Sequence, residues 1–281
     1  MRWKGRRAST NVDDRRRMSP KKATGRFGLG ALVIILLIWL FGGNPMEFIG
    51  LLDNTSQGTS ETMETTAHED ELAAFVAVVL ADTEDVWNRE FRSMGKIYRE
   101  PTLVLFRSEV QTACGFSSAA TGPFYCPGDE KIYIDLTFLE DLQRRLNAEG
   151  DFAVAYIIAH EVGHHVQTLL GLMDQMQQAR RQLSTEDYNQ LSVRLELQAD
   201  FYAGLWANHA QRMKNIMEEG DMDEALNAAS AVGDDLIQKK MQGYVVPDSF
   251  THGTSKQRRS WFYKGFSTGD ISKGNTFSGN I

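Results

Sequence analysis

Five consecutive residues, His160-Glu161-Val162-Gly163-His164, constrain the fold of this chain more than any other feature. They lie within AVAYIIAHEVGHHV, part of a stretch over residues 153–170 that reads as a helix apolar almost all round, and so as a core helix. Two imidazoles and a carboxylate are costly to bury there without partners. Any fold for this chain must bring a polar counterpart to that helix. Positions i and i+4 of a helix share a face, so His160 and His164 can grip one metal ion together. Glu161 follows the first histidine and stands beside such an ion rather than on it, where it can take a proton from a water. His165 points about 100° away from His164 on the helical wheel and is left out of the metal site.

Zinc in a catalytic site takes three protein ligands and keeps one position open. The extended form of the motif, with Gly three and His six residues after the second histidine, is excluded, because Gln167 and Leu170 occupy those places. A carboxylate from a later helix is the alternative. Glu196 and Asp200, in Glu196-Leu197-Gln198-Ala199-Asp200, share a helix face, and like charges at that spacing repel. Their flanks are apolar (Leu195, Leu197, Ala199, Phe201, Tyr202, Leu205), so the pair is not a solvated acidic stripe. Glu196 as the third zinc ligand and Asp200 as acceptor for the second N–H of a ligand imidazole gives both a purpose. One Zn²⁺ per chain is expected.

The chain has 281 residues, with 30 Lys and Arg against 37 Asp and Glu. The first 26 residues hold ten basic residues and two acidic ones, which leaves 20 basic and 35 acidic residues in the other 255. So acidic a body makes a poor nucleic-acid ligand, and no nucleic-acid partner is expected. Residues 27–43 carry no charged side chain, and a helix over residues 27–44 is long enough to cross a bilayer. The basic flank predicts that residues 1–26 stay cytoplasmic and the body is translocated. No small-x-small cleavage site follows the apolar run, so an uncleaved anchor is expected rather than a removed signal peptide. Residues 45–67 are rich in Ser and Thr and read as a flexible tether. Outside the cytoplasm the two cysteines, Cys114 and Cys126, are expected to pair as a disulfide stapling the intervening loop.

Within the body, residues 68–91 show a helical apolar stripe, and residues 102–106 read as a buried strand. Residues 131–136 alternate and read as a strand at a sheet edge. Helices are expected over residues 137–146, 185–217 and 223–241, and a flexible tail from residue 266. The sum is α+β, mainly helical, with a small sheet.

Four stretches, GPFYCPGDEKIYIDLTF (122–138), GDFAVAYIIAHEVGHHVQ (150–167), LELQADFYAGLWA (195–207) and VPDSFTHGTSKQRRSWFYKGF (246–266), resemble the bacterial neutral zinc metallopeptidase family. The likeness covers nearly the whole chain. It implies a zincin-like metallopeptidase domain over residues 68–265, preceded by a single N-terminal transmembrane helix in the bacterial inner membrane, with the domain on the extracytoplasmic side. The chain is also similar, more distantly, to membrane metalloproteases that pair H-E-x-x-H with E-x-x-A-D and carry a later Thr-His followed six residues on by Arg. Thr251-His252 and Arg258 stand at that interval, with Gly253 where those relatives have Pro. The similarity implies that His252 donates to the oxyanion and that Arg258 binds substrate or holds the site. Tyr244 and Tyr263 are weaker candidates for the donor.

The expected function is a membrane-anchored zinc metalloendopeptidase acting on polypeptides, with Glu161 as general base. Substrate is expected to pair with an edge strand, residues 131–136 first and residues 102–106 second. Two alternatives keep the metal: a catalytically silent zinc-binding scaffold of the envelope, and a zinc hydrolase of a non-peptide bond such as a cell-wall cross-link. A structural zinc site is usually closed by four protein ligands and needs no base, so Glu161 argues against the scaffold.

Overall fold

The computed structural model describes residues 1–18, 64–118, 122–139 and 150–281. Residues Met1–Arg15 and Thr66–Ile281 form one compact unit; residues 16–65 belong to a second, of which only 16–18 and 64–65 are described.

Helix α1 (Ala67–Ser93) starts at a capping box, in which Thr66 accepts from the Glu69 backbone and the Glu69 side chain accepts from Thr66 N–H. Its apolar stripe, Phe75, Val76, Val79, Leu80, Trp87 and Phe91, is buried in the main core. Four strands form the principal sheet: β1 (Val12–Asp14), β2 (Thr102–Phe106), β5 (Phe124–Cys126) and β6 (Lys131–Asp135), in the order β1-β2-β6-β5. The first two pairings are parallel, and β5 runs antiparallel to β6. Strands β3 (Glu109–Thr112) and β4 (Gly115–Ser118) make a separate hairpin, tied to β5 by the Cys114–Cys126 disulfide.

Helix α2 (Asp151–Leu169) carries the histidines and is buried on nearly every face from Phe152 to Gln167, as its composition predicts. Helix α3 (Leu172–Gln182) leads to α4 (Thr185–Lys214), which starts at a Ser184 cap with Glu186 and Asp187 in its first turn. The centres of α2 and α4 meet where Gly163 faces Ala199: a Cβ at Gly163 would lie 3.1 Å from the Ala199 Cα. Glycine in the first motif and alanine in the second thus let the two motif-bearing helices approach. Helices α5 (Asp221–Ala231), α6 (Asp234–Gln242) and α7 (Ser255–Thr268) complete the unit, and α7 packs along α4.

Several expectations need correction. Among the described residues no helix is long and apolar enough to cross a membrane. The expected transmembrane helix over residues 27–44 and most of the expected tether lie outside the described residues. The expected location, with the arm in the cytoplasm and the body beyond a single crossing, fails on a second finding as well. The arm shares a fold with the body: β1 pairs with β2, Arg6 and Lys214 both pair with the buried Asp82, and Arg7 reaches Glu84 at 2.9 Å. The Met1 ammonium lies 3.0 Å from Glu218 and 3.2 Å from Asp221. One crossing cannot separate two segments of one sheet. The run of basic residues misleads because two of them, Arg6 and Arg7, pair with buried carboxylates of the acidic body.

The strand at 131–135 is interior, flanked by β2 and β5. The helix expected at 223–241 breaks at residues 232–233, because Asp234 turns both its backbone N–H and its carboxylate to the segment Thr251–Gly253. Residues 136–139 are helical, and residues 140–149 lie outside the described residues. The tail expected to be flexible is fixed to α4. Thr276 is fully buried and donates to Arg194 O, the Arg194 guanidinium donates to the Thr276 and Gly279 carbonyls, and Gln198 donates to Gly274 O.

Candidate metal centre

Helices α2 and α4 bring His160, His164 and Glu196 together. Glu196 Oε2 lies 3.1 Å from His160 Nε2, and Oε1 lies 3.3 Å from His164 Nε2. One ligand atom from each residue falls within 4.8 Å of the others, a group that could hold a metal ion. The spacing fits zinc. Ligands about 2.0–2.1 Å from a tetrahedral ion stand roughly 3.3 Å apart, and two nitrogens with one carboxylate oxygen suit its chemistry.

The rest of the site orients these donors. His160 Nδ1–H donates to Asp200 Oδ1 at 2.9 Å, which leaves Nε2 toward the metal position. His164 Nδ1–H donates to Gln167 Oε1 at 2.9 Å with the same consequence. Asp200, fully buried, also accepts from Tyr156 Oη at 2.5 Å and from Arg258 Nε and Nη2 at 2.9 and 3.0 Å. Gln167 in turn donates to Leu195 O at 2.7 Å and to Gln198 Oε1 at 3.1 Å, linking the second histidine to helix α4.

Burial alone would lower the His160 pKa, but the Asp200 and Glu196 carboxylates raise it to about 9. Burial pushes Asp200 up, yet Arg258 and His160 bring it down to about 2. Glu196, likewise pushed up by burial, is held well below the usual carboxylate range by the two histidines. Two carboxylates in so apolar a setting draw positive charge to themselves, as an anionic metal cradle does. Glu161 differs: burial dominates and raises its pKa, the direction that suits a base working near neutrality.

A cavity of about 490 Å³ opens onto the centre. His160, Glu161, His164, Glu196, His252 and Arg258 all line it, with Phe124, Tyr125 and Phe138 among its aromatic walls. His252 is half-exposed there. Arg258 is buried, donates to Asp200 and Tyr156, and lies 3.9 Å from Glu196 Oε2. His165 is turned away, with Nε2–H donating to Arg99 O at 2.6 Å and Nδ1 accepting from Tyr125 Oη at 3.1 Å. Tyr244 and Tyr263 are exposed and do not line the cavity. The wall strand is β5, an outer strand of the sheet, rather than the strand at 131–135.

Tyr156, Gln167 and Asp234 are parts of the site that sequence reasoning misses. Tyr156 stands four residues before His160 and Gln167 three after His164, so helical spacing holds a signal for both. Asp234 had none: it reaches His252 from a separate helix, through Oδ1 at 3.2 Å from Nδ1.

The uncharacterized protein YpfJ of Escherichia coli (strain K12) is 47% identical over 290 aligned residues, covering all of both chains. An uncharacterized Mycobacterium tuberculosis protein (Rv2575, strain H37Rv) is 41% identical over 191 residues, 64% of each chain. No solved structure matches the chain. A family profile described as "Putative neutral zinc metallopeptidase" matches residues 1–277, and the chain belongs to that family.

Proposed function

We propose that the chain is a zinc metallopeptidase that hydrolyses peptide bonds of polypeptide substrates. The observation that carries this reading is the triangle of His160 Nε2, His164 Nε2 and a Glu196 carboxylate at the floor of a cavity that Glu161 also lines. Three protein ligands leave a coordination position free, as hydrolytic zinc sites require. A zinc ion held there supplies Lewis acidity both to a water and to the scissile carbonyl.

The chain's own residues do the rest. An extended polypeptide lies along β5, whose Phe124 and Tyr125 face the cavity, and pairs with its backbone as an added strand. Glu161 takes a proton from the attacking water while the water oxygen bonds to the carbonyl carbon. As the carbon–nitrogen bond breaks, Glu161 returns that proton to the leaving amine. His252 donates to the carbonyl oxygen as negative charge develops on it. Asp200 and Gln167 hold the two imidazoles in the tautomer that offers Nε2, and Arg258 with Tyr156 holds Asp200.

The test is removal and return of the metal. Dialysis against a chelator should abolish cleavage of an unstructured polypeptide, and one equivalent of zinc per chain should restore it. Zinc bound at that stoichiometry without cleavage would reduce the site to a binding centre. Cleavage of cell-wall material alone would move the reading to another bond.

A further inference from the structure

Asp234, the first residue of α6, makes an unusual set of contacts. Its Oδ2 accepts three consecutive backbone N–H groups: Thr251 at 2.8 Å, His252 at 2.7 Å and Gly253 at 3.0 Å. Its Oδ1 lies 3.2 Å from His252 Nδ1, which Thr251 Oγ1 also approaches at 3.0 Å, and its own backbone N–H donates to Gly253 O at 2.9 Å. The turn depends on Gly253, whose φ of +92° lies in the left-handed region. Proline, fixed near φ −65° and lacking an N–H, could neither adopt that angle nor supply the third donor.

We propose that Asp234 is the positioning residue for His252, taking its Nδ1–H and three backbone N–H groups so that the imidazole presents Nε2–H to the cavity. The use made of that Nε2–H rests on the peptidase reading; the contact itself does not. A neutral imidazole with its proton on Nδ1 would offer a lone pair at Nε2, whereas the imidazolium offers a donor at both nitrogens. An anion on Nδ1 favours the imidazolium. The charged groups facing His252 are Asp234 from α6, Glu196 from α4 and Arg258 from α7. The Asp234 hydrogen bond is the largest influence and raises the His252 pKa; partial burial opposes it, and Glu196 and Arg258 act in opposite senses.

The experiment uses the full-length zinc-loaded chain with Asp234→Asn, His252→Ala and the double variant, read by peptide cleavage and by imidazole nitrogen chemical shifts of His252. His252→Ala should lower kcat roughly 10²–10³-fold, the loss expected for an oxyanion donor. Asp234→Asn should lower kcat on the order of tenfold or more with little change in KM, below the full loss of that donor. It should also move the His252 titration midpoint to lower pH. In the His252→Ala background Asp234→Asn should change kcat no further. An equal loss in that background, or an unmoved midpoint, would overturn the proposal and leave Asp234 as a loop brace. If Asp234→Asn does not fold, the nitrogen shifts of the unaltered protein decide: a ring protonated at both nitrogens with Nδ1 hydrogen-bonded supports the proposal, and a proton on one nitrogen alone overturns it. If the unaltered chain cleaves nothing, the peptidase reading falls, and the His252 spectra still judge the contact.

Discussion

Arg258 closes on Asp200 in a two-point contact, Nε to Oδ2 at 2.9 Å and Nη2 to Oδ1 at 3.0 Å, with both side chains buried. The same carboxylate accepts from His160 Nδ1, and the guanidinium itself comes within 3.4 Å of His160 Nε2 and 3.9 Å of Glu196 Oε2. Removing one partner of a buried ion pair strands the other charge. Arg258→Ala should therefore destabilise the protein by about 3–5 kcal/mol in urea unfolding. It should also weaken zinc binding by roughly 10–100-fold, the usual loss when the support of a ligand is removed. Unchanged zinc affinity in a folded variant would show that Asp200 does not need its arginine.

Glu196 is the carboxylate of one motif helix that meets both His160 and His164 of the other. Glu196→Ala should lose zinc, and with it the rise in melting temperature that zinc confers on the unaltered chain. A ligand that binds only the folded state stabilises by about 2.7 kcal/mol at a hundred times its Kd. Thermal melts with and without chelator read this directly. A full zinc-dependent shift in the variant would point to another third ligand.

How much of this was legible beforehand follows from the range of each interaction. The cluster of His160, His164 and Glu196 was, because His160 and His164 are fixed by one helix turn, and Glu196 with Asp200 repeats that spacing amid apolar neighbours. The helices expected at 68–91, 153–170 and 185–217 were too, found at 67–93, 151–169 and 185–214, their apolar patterning being local. What failed is non-local. Strand β1 has three residues and pairs with a strand about 90 positions away, and nothing in a basic arm marks that pairing. The tail's small polar residues suggest disorder, but Thr276 and the carbonyls of Gly274 and Gly279 are hydrogen-bonding partners of α4. The alternation at 131–135 identifies a strand but not its neighbours, and two flank it.

The arm makes its own prediction. Deleting residues 1–15 removes β1, takes Arg7, Ser9 and Asn11 from the buried Glu84 carboxylate, and leaves the buried Asp82 with Lys214 alone. Stability should fall by about 3 kcal/mol or more, the cost of uncompensated buried charge. An unchanged urea midpoint would mean that the arm is merely appended to the body.

Acid should loosen the start of α1. Backbone hydrogen bonding to Thr66, ahead of Arg107, holds the Glu69 pKa below its ordinary value in the folded chain. A depressed folded value means that the unfolded state binds more protons, so stability rises with pH across that window. The contribution is complete above about pH 4.5 and disappears as pH falls through the folded value. Glu69→Gln should flatten this acid limb of the stability–pH curve. An acid limb identical in the variant would remove Glu69 as its source.

The measurement that bears most directly on the central claim compares the unaltered chain with Glu161→Gln for zinc content and for cleavage of an unfolded polypeptide. One zinc should be found in each, with turnover lower in the variant by roughly 10²–10⁴-fold, the share of a positioned general base. Near-equal turnover in the two, or zinc in both and cleavage in neither, would contradict the account.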